Sequence, residues 1–331
     1  MLRYDIVGCG EVAAQYHAPI LNSLRAEGLL TIRACIDTSL ERAALMAKRL
    51  HATPAASITE AGVSGADAAL IATPPEFHAE LALPYLLAGR SVLIEKPFAP
   101  TLADAEKLLA AARTGNAHVL VGHQRRLYPA IQVAREVVRS GVLGNIRAAE
   151  AREGGRWEWP AASAYVLKSS IGGVLYDTGA HVLDTLLFLL GLDDPEAAPT
   201  VAVESVARDR DAEPSHDFRA RFRLCLGGNE LSVDFRVSRT QALPRSVVLH
   251  GERASLVVGG AFGQQPTVVA GKSVMRLDLP IDVPRPADAA GCFRLEHEAL
   301  ANPARYADVG ALLEGSRFVT LTHLLDTLAG A

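Results

Sequence analysis

Cysteine is scarce in this chain of 331 residues: Cys9, Cys35, Cys225 and Cys292 are the only four, and they form no CxxC pair and no metal-ligand spacing. That excludes a disulfide-stapled scaffold and a cysteine-built zinc centre. Reduced thiols in a cytoplasmic protein are the expectation. An excess of one charge sign is also missing. A formal net charge of −4 gives no global pull towards nucleic acid or an anionic membrane. Long apolar runs are absent as well, since Val182 to Leu192, interrupted by Asp184 and Thr185, falls short of the roughly 20 residues a membrane span needs. No transmembrane helix is expected. Only Arg3 stands ahead of the first strand-like segment, with no apolar region ending at a cleavage site, so export is not expected either. Internal repeats and low-complexity linkers are lacking.

What is present is the composition of an ordinary folded protein, 49% apolar and 21% charged. The length suggests two domains, with a single barrel still open. The first 122 residues alternate β-rich runs with helical patterns, the signature of βαβ units and a parallel sheet. Strands are expected at Tyr4 to Val7, Thr31 to Ile36, Ala68 to Ala72, Ser91 to Ile94 and His118 to Val121. Helices are expected from Val12, at Ser39 to Leu50, at Glu76 to Leu87, and at Thr101 to Arg113 with Thr101 and Asp104 as a capping pair. The pattern then changes. Residues 123–331 read as an α+β domain with a mostly antiparallel sheet. Its helices are expected at Pro129 to Arg139 and Gly179 to Leu190. Strands follow at Ile146 to Glu153, Val201 to Arg208, Asp217 to Leu226, Glu230 to Val237, Ser246 to His250 and Ala254 to Val258, with Gly227-Gly228-Asn229 as a hairpin turn. Ala304 to Leu328 is helical by periodicity and is expected to pack back on one domain, while residues 257–286 stay unplaced. The expected class is thus α/β: an N-terminal doubly wound Rossmann domain (1–122), then the α+β domain (123–331).

The strand ending at Val7 runs into Gly8-Cys9-Gly10-Glu11-Val12-Ala13 and then a helical pattern, which is the dinucleotide-binding fingerprint in its required context. Gly8 permits the tight turn, Gly10 lets backbone approach a pyrophosphate, Ala13 lets helix and strand pack, and the helix N-terminus faces the phosphates. Asp37 follows the second strand. A carboxylate there accepts from the ribose hydroxyls of NAD and repels the 2′-phosphate of NADP. The bland reading of Asp37 is a helix cap. Nearby Arg33 and Arg42 keep NADP open, so NAD is the expected cofactor with NADP not excluded.

Two further segments carry a resemblance: Gly89 to Pro97, ending Glu95-Lys96-Pro97, and Gly172 to His181, containing Asp177. With the N-terminal turn, Thr73-Pro74-Pro75, His78 and Gly122 to Pro129, the chain resembles the glucose-fructose oxidoreductase, inositol dehydrogenase and MocA (Gfo/Idh/MocA) family of NAD(P)-dependent enzymes. The likeness is clear over residues 3 to 190. It implies an open antiparallel sheet that forms a homodimer or homotetramer interface. It implies that Lys96 is catalytic, that Glu95 and Lys96 line the nicotinamide pocket, that Gly8, Gly10, Glu11, Val12, Asp37, Thr73, Pro74, His78 and Gln124 surround the cofactor, and that Asp177 and His181 complete the catalytic set. His123 departs from the family, where an aromatic is common.

The residue chemistry agrees. An ammonium at Lys96, just beyond the Ser91 to Ile94 strand, sits where ligands of doubly wound folds bind and is suited to polarising a substrate oxygen. Asp177 and His181 are four residues apart, one helical turn, so a carboxylate can orient an imidazole that removes a hydroxyl proton. The local alternative is a capping aspartate and a structural histidine. Arg126 and Trp157 are expected at the substrate, Trp157 and Trp159 as an apolar wall, against an ion-pair role for Arg125-Arg126 and core packing for the tryptophans. The expected function is reversible hydride transfer between nicotinamide C4 and a secondary alcohol carbon of a sugar, cyclitol or related polyol, with no metal. Transient use of NAD in a sugar elimination or hydrolysis, and a non-catalytic NAD(H) sensor, are the competing readings.

Overall fold

The computed structural model describes residues 1–156, 173–209, 215–226, 228–279 and 286–331. These divide into two compact units, the first holding Met1–Gln124 and Ala289–Ser316, the second the described residues of 125–288 together with Arg317–Ala331. The break falls at Gln124, two residues beyond the sequence-based boundary. Among the described residues no helix is long and apolar enough to cross a membrane.

The first unit is built on six parallel strands, β1 (Leu2–Val7), β2 (Leu30–Ile36), β3 (Thr53–Ala55), β4 (Ala68–Ile71), β5 (Ser91–Glu95) and β6 (Val119–Gly122), in the order β3-β2-β1-β4-β5-β6. That is the doubly wound order whose direction reverses between β1 and β4. Strands β4, β5 and β6 are almost wholly buried, as a sheet covered on both faces requires. Sequence reading missed β3, three residues on the edge with Pro54 in the middle. The helix Leu40–Leu50 starts at Ser39, whose Oγ accepts from the Arg42 N–H. Likewise Thr101 accepts from the Asp104 N–H and caps Leu102–Gly115; each cap contributes about 1 kcal/mol. The helix expected from Val12 departs from regularity, passing through a π-turn at Ala13–His17 before continuing as Ala18–Ala26. A further helix, Ala289–Ala301, belongs to this unit and packs on β5, β6 and Ala18–Ala26.

The second unit carries eight strands: β7 (Ile146–Gly154), β8 (Thr200–Arg208), β9 (Asp217–Leu226), β10 (Asn229–Ser238), β11 (Leu243–Gly251), β12 (Ser255–Gly259), β13 (Thr267–Ala270) and β14 (Ser273–Arg276). Their order is β14-β13-β12-β11-β7-β10-β9-β8, antiparallel except for the parallel pair β7 and β10. β9 and β10 pair from Leu226 and Asn229 onward, as the hairpin expectation required. β13 and β14 fill part of the stretch left unplaced by sequence. Helices Pro129–Arg139 and Ala180–Leu190 lie in this unit, the latter preceded by a second π-turn at Leu175–Gly179. The C-terminal helical stretch is split: Ala307–Leu313 belongs to the first unit and Val319–Gly330 to the second.

Candidate active site

The N-terminal glycine turn closes the crevice where the strand order reverses. A Cβ on Gly8 would lie 2.5 Å from the Ala72 carbonyl oxygen, and its φ of +95° is one that side chains rarely adopt. Nothing lies within 4 Å of the Cβ position of Gly10. Ala13 is buried, and the Ala14 N–H donates to the Gly10 carbonyl to start the π-turn. Glu11 and Val12 are half-buried beside it. At the end of β4, Thr73 Oγ1 is buried without a partner among the described residues. Open backbone over Gly10 and an orphaned hydroxyl at the neighbouring strand end fit a dinucleotide laid across this crevice. Gly8, Gly10, Glu11, Val12 and Thr73 would hold it, with Pro74 half-buried in the same turn.

Asp37 does more locally than sequence reading assigned it. Its Oδ2 accepts from the Cys9 N–H at 2.9 Å and its Oδ1 from the Ser39 N–H at 2.8 Å, so it ties the glycine turn to the start of the next helix. Arg42 adds two contacts, Nη2 to Oδ1 at 2.7 Å and Nε to Oδ2 at 3.3 Å. Burial alone pushes this carboxyl up, but Arg42 and the two backbone donors outweigh it and hold it below the usual range. The cap itself is Ser39, and Asp37 braces that cap through the Ser39 N–H. Arg33 is elsewhere, paired with Asp5 at 2.9 and 2.5 Å and bonded to the Ala61 carbonyl. It is withdrawn as a cofactor-selecting residue.

Lys96 emerges half-buried at the carboxyl end of β5. Its neighbours are more buried than the sequence suggested. His78 is fully buried, with Nδ1 3.0 Å from the Pro97 carbonyl and Nε2 2.9 Å from the Thr73 carbonyl. Burial pushes its pKa down against the pull of those carbonyls and of Glu95, and a neutral imidazole has one N–H to give. It donates to one of the Thr73 and Pro97 carbonyls, lies against both turns, and presents no surface to a cofactor. Glu95 likewise turns inward, with Oε1 2.7 Å from His17 Nε2, so its expected place in the pocket lining is corrected to one beneath it. Gln124 opens a 3-10 turn and is half-buried.

In the second unit Asp177 lies in the π-turn ahead of His181 and pairs with Arg239, Nη2 to Oδ2 at 2.9 Å. His181 is half-buried in the first turn of Ala180–Leu190, and its carbonyl accepts from Thr185 Oγ1. Arg125 forms a two-pronged pair with Glu153 at 2.6 and 2.9 Å. Arg126, only 1% exposed, meets Asp184 at 2.6 Å and Asp193 at 3.1 Å and stacks 3.9 Å over Phe318. No substrate reaches a guanidinium so enclosed. The ion-pair alternative describes both arginines, and Arg126 is withdrawn as a substrate ligand. Trp157 and Trp159 lie outside the described residues.

Residues 2–123 match an oxidoreductase family described as an NAD-binding Rossmann fold, and residues 131–257 match the GFO/IDH/MocA C-terminal domain. The chain belongs to the Gfo/Idh/MocA family. It is thereby an NAD(P)-dependent oxidoreductase. A 1,5-anhydro-D-fructose reductase of Ensifer adhaerens is 27% identical over 295 residues, covering 85% of this chain and 84% of the relative. Among solved structures, an inositol dehydrogenase homologue of Azotobacter vinelandii complexed with NADH and myo-inositol aligns with a TM-score of 0.76 at 19% identity, over 99% of this chain and 94% of its own. A 3-ketoreductase of Actinomadura kijaniata complexed with NADP and TDP-benzene aligns at 0.74 and 20% identity, over 98% and 97%. At those identities the shared property is the Gfo/Idh/MocA fold.

Three residues of this Gfo/Idh/MocA chain act on the motif residues in ways the sequence reading did not assign: Arg42, named there only for NADP, pairs with Asp37, while Arg239 on Asp177 and His17 on Glu95 were not singled out at all. Arg42 was legible, five residues from its partner. Arg239 and His17 are joined to theirs only by the fold, and nothing local marks them.

Proposed function

We propose that this chain oxidises a secondary alcohol of a sugar, cyclitol or related polyol, or reduces the corresponding ketone, with NAD as the preferred nicotinamide cofactor. The observation carrying this reading is the glycine turn packed against Ala72, open above Gly10, with Lys96 at the carboxyl end of β5 in the same unit. The cofactor supplies the hydride acceptor at nicotinamide C4. Lys96 donates a hydrogen bond to the substrate oxygen and stabilises its developing negative charge. His181 takes the hydroxyl proton as the carbon gives up its hydride, so proton and electron pair leave separately. Asp177, paired with Arg239 and four residues before His181, is the supporting carboxylate in this reading. The sugar reductase and the inositol-bound homologue among its relatives support the substrate class. Screening polyols, cyclitols and aminated sugars with NAD, and following NADH by absorbance, tests it. NADH accumulation with one of them is the expected result. Sugar conversion without NADH accumulation would indicate transient redox, and cofactor binding without any turnover would indicate a sensor.

The cofactor preference has its own test. Asp37 offers about four acceptor sites, and its four contacts in this structure include two from Arg42. A ribose hydroxyl therefore displaces part of the Arg42 pairing, whereas a 2′-phosphate meets the carboxylate directly. Asp37→Ala should weaken NADH binding by about tenfold, the loss of one charge-assisted hydrogen bond. NADPH binding should be unchanged or tighter as Arg42 is released. Fluorescence titration of both dinucleotides reads this, and an unchanged ratio between them would remove the argument for NAD.

We further propose a homodimer or homotetramer assembled through the open sheet. Its outer residues alternate sign, with Arg219, Arg221 and Arg223 against Asp234, Glu230 and Glu204, a pattern able to complement a second copy.

A further inference from the structure

One buried assembly in the first unit stands behind Lys96. Tyr4 on β1, His17 at the end of the π-turn, Glu95 at the end of β5, and Glu296 and His297 on Ala289–Ala301 meet in its interior, all of them buried. Tyr4 Oη lies 3.1 Å from His297 Nδ1, His297 Nε2 lies 2.9 Å from His17 Nδ1, and His17 Nε2 lies 2.7 Å from Glu95 Oε1. The other Glu95 oxygen accepts the Lys96 backbone N–H at 3.1 Å. Phe293 packs on the His17 ring edge to face at 5.2 Å, and Arg294 pins the same helix to Glu27 at 2.6 Å.

Two carboxyl groups share this interior and end in opposite states. Glu296 has no hydrogen-bond partner for either oxygen among the described residues. Burial, then the charge of Glu95, push it far above the ordinary carboxyl range, so it stays protonated. Burial presses on Glu95 in the same direction. Its hydrogen bond from His17, the charges of His17 and Lys96, and the Lys96 N–H outweigh that pressure and keep it ionised. The groups facing Glu95 are thus His17, Lys96, Glu296 and His78, on which the Glu95 charge acts. An ionised carboxylate only accepts, so His17 Nε2 carries a proton in every consistent arrangement. His297 is pushed well down by burial and by His17, and remains neutral.

We propose that His17 and His297 are positioning residues for Lys96: by holding Glu95 as a carboxylate under the Lys96 backbone, they fix the turn from which the ammonium reaches its substrate. The role rests on Lys96 touching substrate, as argued above. Without the His17 N–H, Glu95 becomes a second Glu296. It takes up a proton, and the Lys96 N–H loses a charge-assisted acceptor.

The test compares His17→Phe with His17→Gln in the full chain. The glutamine amide keeps an N–H for Glu95 and a carbonyl for His297, whereas phenylalanine keeps only bulk. Glu95 is read by carboxyl carbon NMR, assigned with Glu95→Gln, and Lys96 by its backbone amide proton, which should titrate with Glu95. His17→Phe should raise the Glu95 midpoint by at least about one pH unit and carry the Lys96 amide transition with it. The carboxylate form is the working form, so the acid limb of the kcat profile should move up equally, and kcat should fall about tenfold or more. NADH affinity by fluorescence should stay within about twofold, since no phosphate contact is touched. His17→Gln should remain near the parent in all five readings, and His297→Phe should fall between. If the phenylalanine and glutamine variants titrate alike, or if the Lys96 amide and the acid limb ignore a shifted Glu95, the proposal is overturned. Should His17→Phe not fold, His297→Phe against His17→Gln decides the same question. A failure of every polyol to turn over would strike the functional reading, while the two NMR titrations would still judge this one.

Discussion

Lys96→Met should lower kcat by roughly a hundred- to a thousand-fold, the cost of deleting one donor aimed at a developing oxyanion. Methionine preserves the unbranched chain and removes only the charge and the hydrogen bonds. Lys96 is half-buried at the end of β5, and its backbone is tied to Glu95, so the substitution leaves strand pairing in place. NADH affinity should change less than about threefold, because the glycine turn and Asp37 hold the other end of the dinucleotide. A loss of transition-state stabilisation lowers kcat and kcat/KM together, whereas loss of uniform binding would raise KM alone. Arginine at this position should rescue little, since a planar fork does not replace a compact ammonium. Steady-state kinetics on the polyol found by screening, with NADH titration alongside, gives the answer, and full turnover by Lys96→Met would remove the catalytic assignment.

The second large effect belongs to stability. Arg126 sits in the interior of the second unit with Asp184 and Asp193, and Asp193 also pairs with Arg135 at 2.9 Å and Arg317 at 3.2 Å. Phe188 and Phe318 stack on the guanidinium groups of this cluster at 3.9 Å. Arg126→Met should destabilise the fold by about 3–5 kcal/mol, the usual cost of removing one member of a buried ion cluster. The largest share comes from Asp184, buried against the Arg126 guanidinium at 2.6 Å. Replacing both partners, Arg126→Met with Asp184→Leu, should recover a substantial part, because Asp184 is then gone and Asp193 keeps Arg135 and Arg317. Urea denaturation measures both. A variant of unchanged stability with a raised KM would return Arg126 to the substrate.

Except for β3, three residues around Pro54 at the edge, the strands of the first sheet were legible because each is a short β-rich run in a sheet covered on both faces. Helix Ala289–Ala301 was not, and the reason is specific. Its interior positions are Cys292, Phe293, Glu296, His297, Ala299 and Leu300, which is helical spacing only if Glu296 and His297 count as interior. A reading that puts charged and polar residues outside erases the stripe. The site shows the same division. The glycine turn, Lys96 and the Asp177 and His181 spacing are marked by local sequence, so they were visible. Arg239, far along the chain from Asp177, and His17, far from Glu95, come together through tertiary structure alone. Arg126 was misread because a pair of arginines looks the same in sequence whether it grips a ligand or two buried aspartates.

The helix Ala289–Ala301 also bears on how the protein is made. A ribosome completes the six strands of the Rossmann sheet by Gly122, yet the helix that covers β5 and β6 and supplies His297 is made only after the whole second sheet. At roughly 5–20 residues per second, the nascent sheet waits on the order of ten seconds or more with that face bare. The dinucleotide crevice at Gly8 can form early, whereas the buried support of Lys96 is completed near the end of synthesis. Ligand binding and chemical competence should therefore arise at different moments in the life of each molecule.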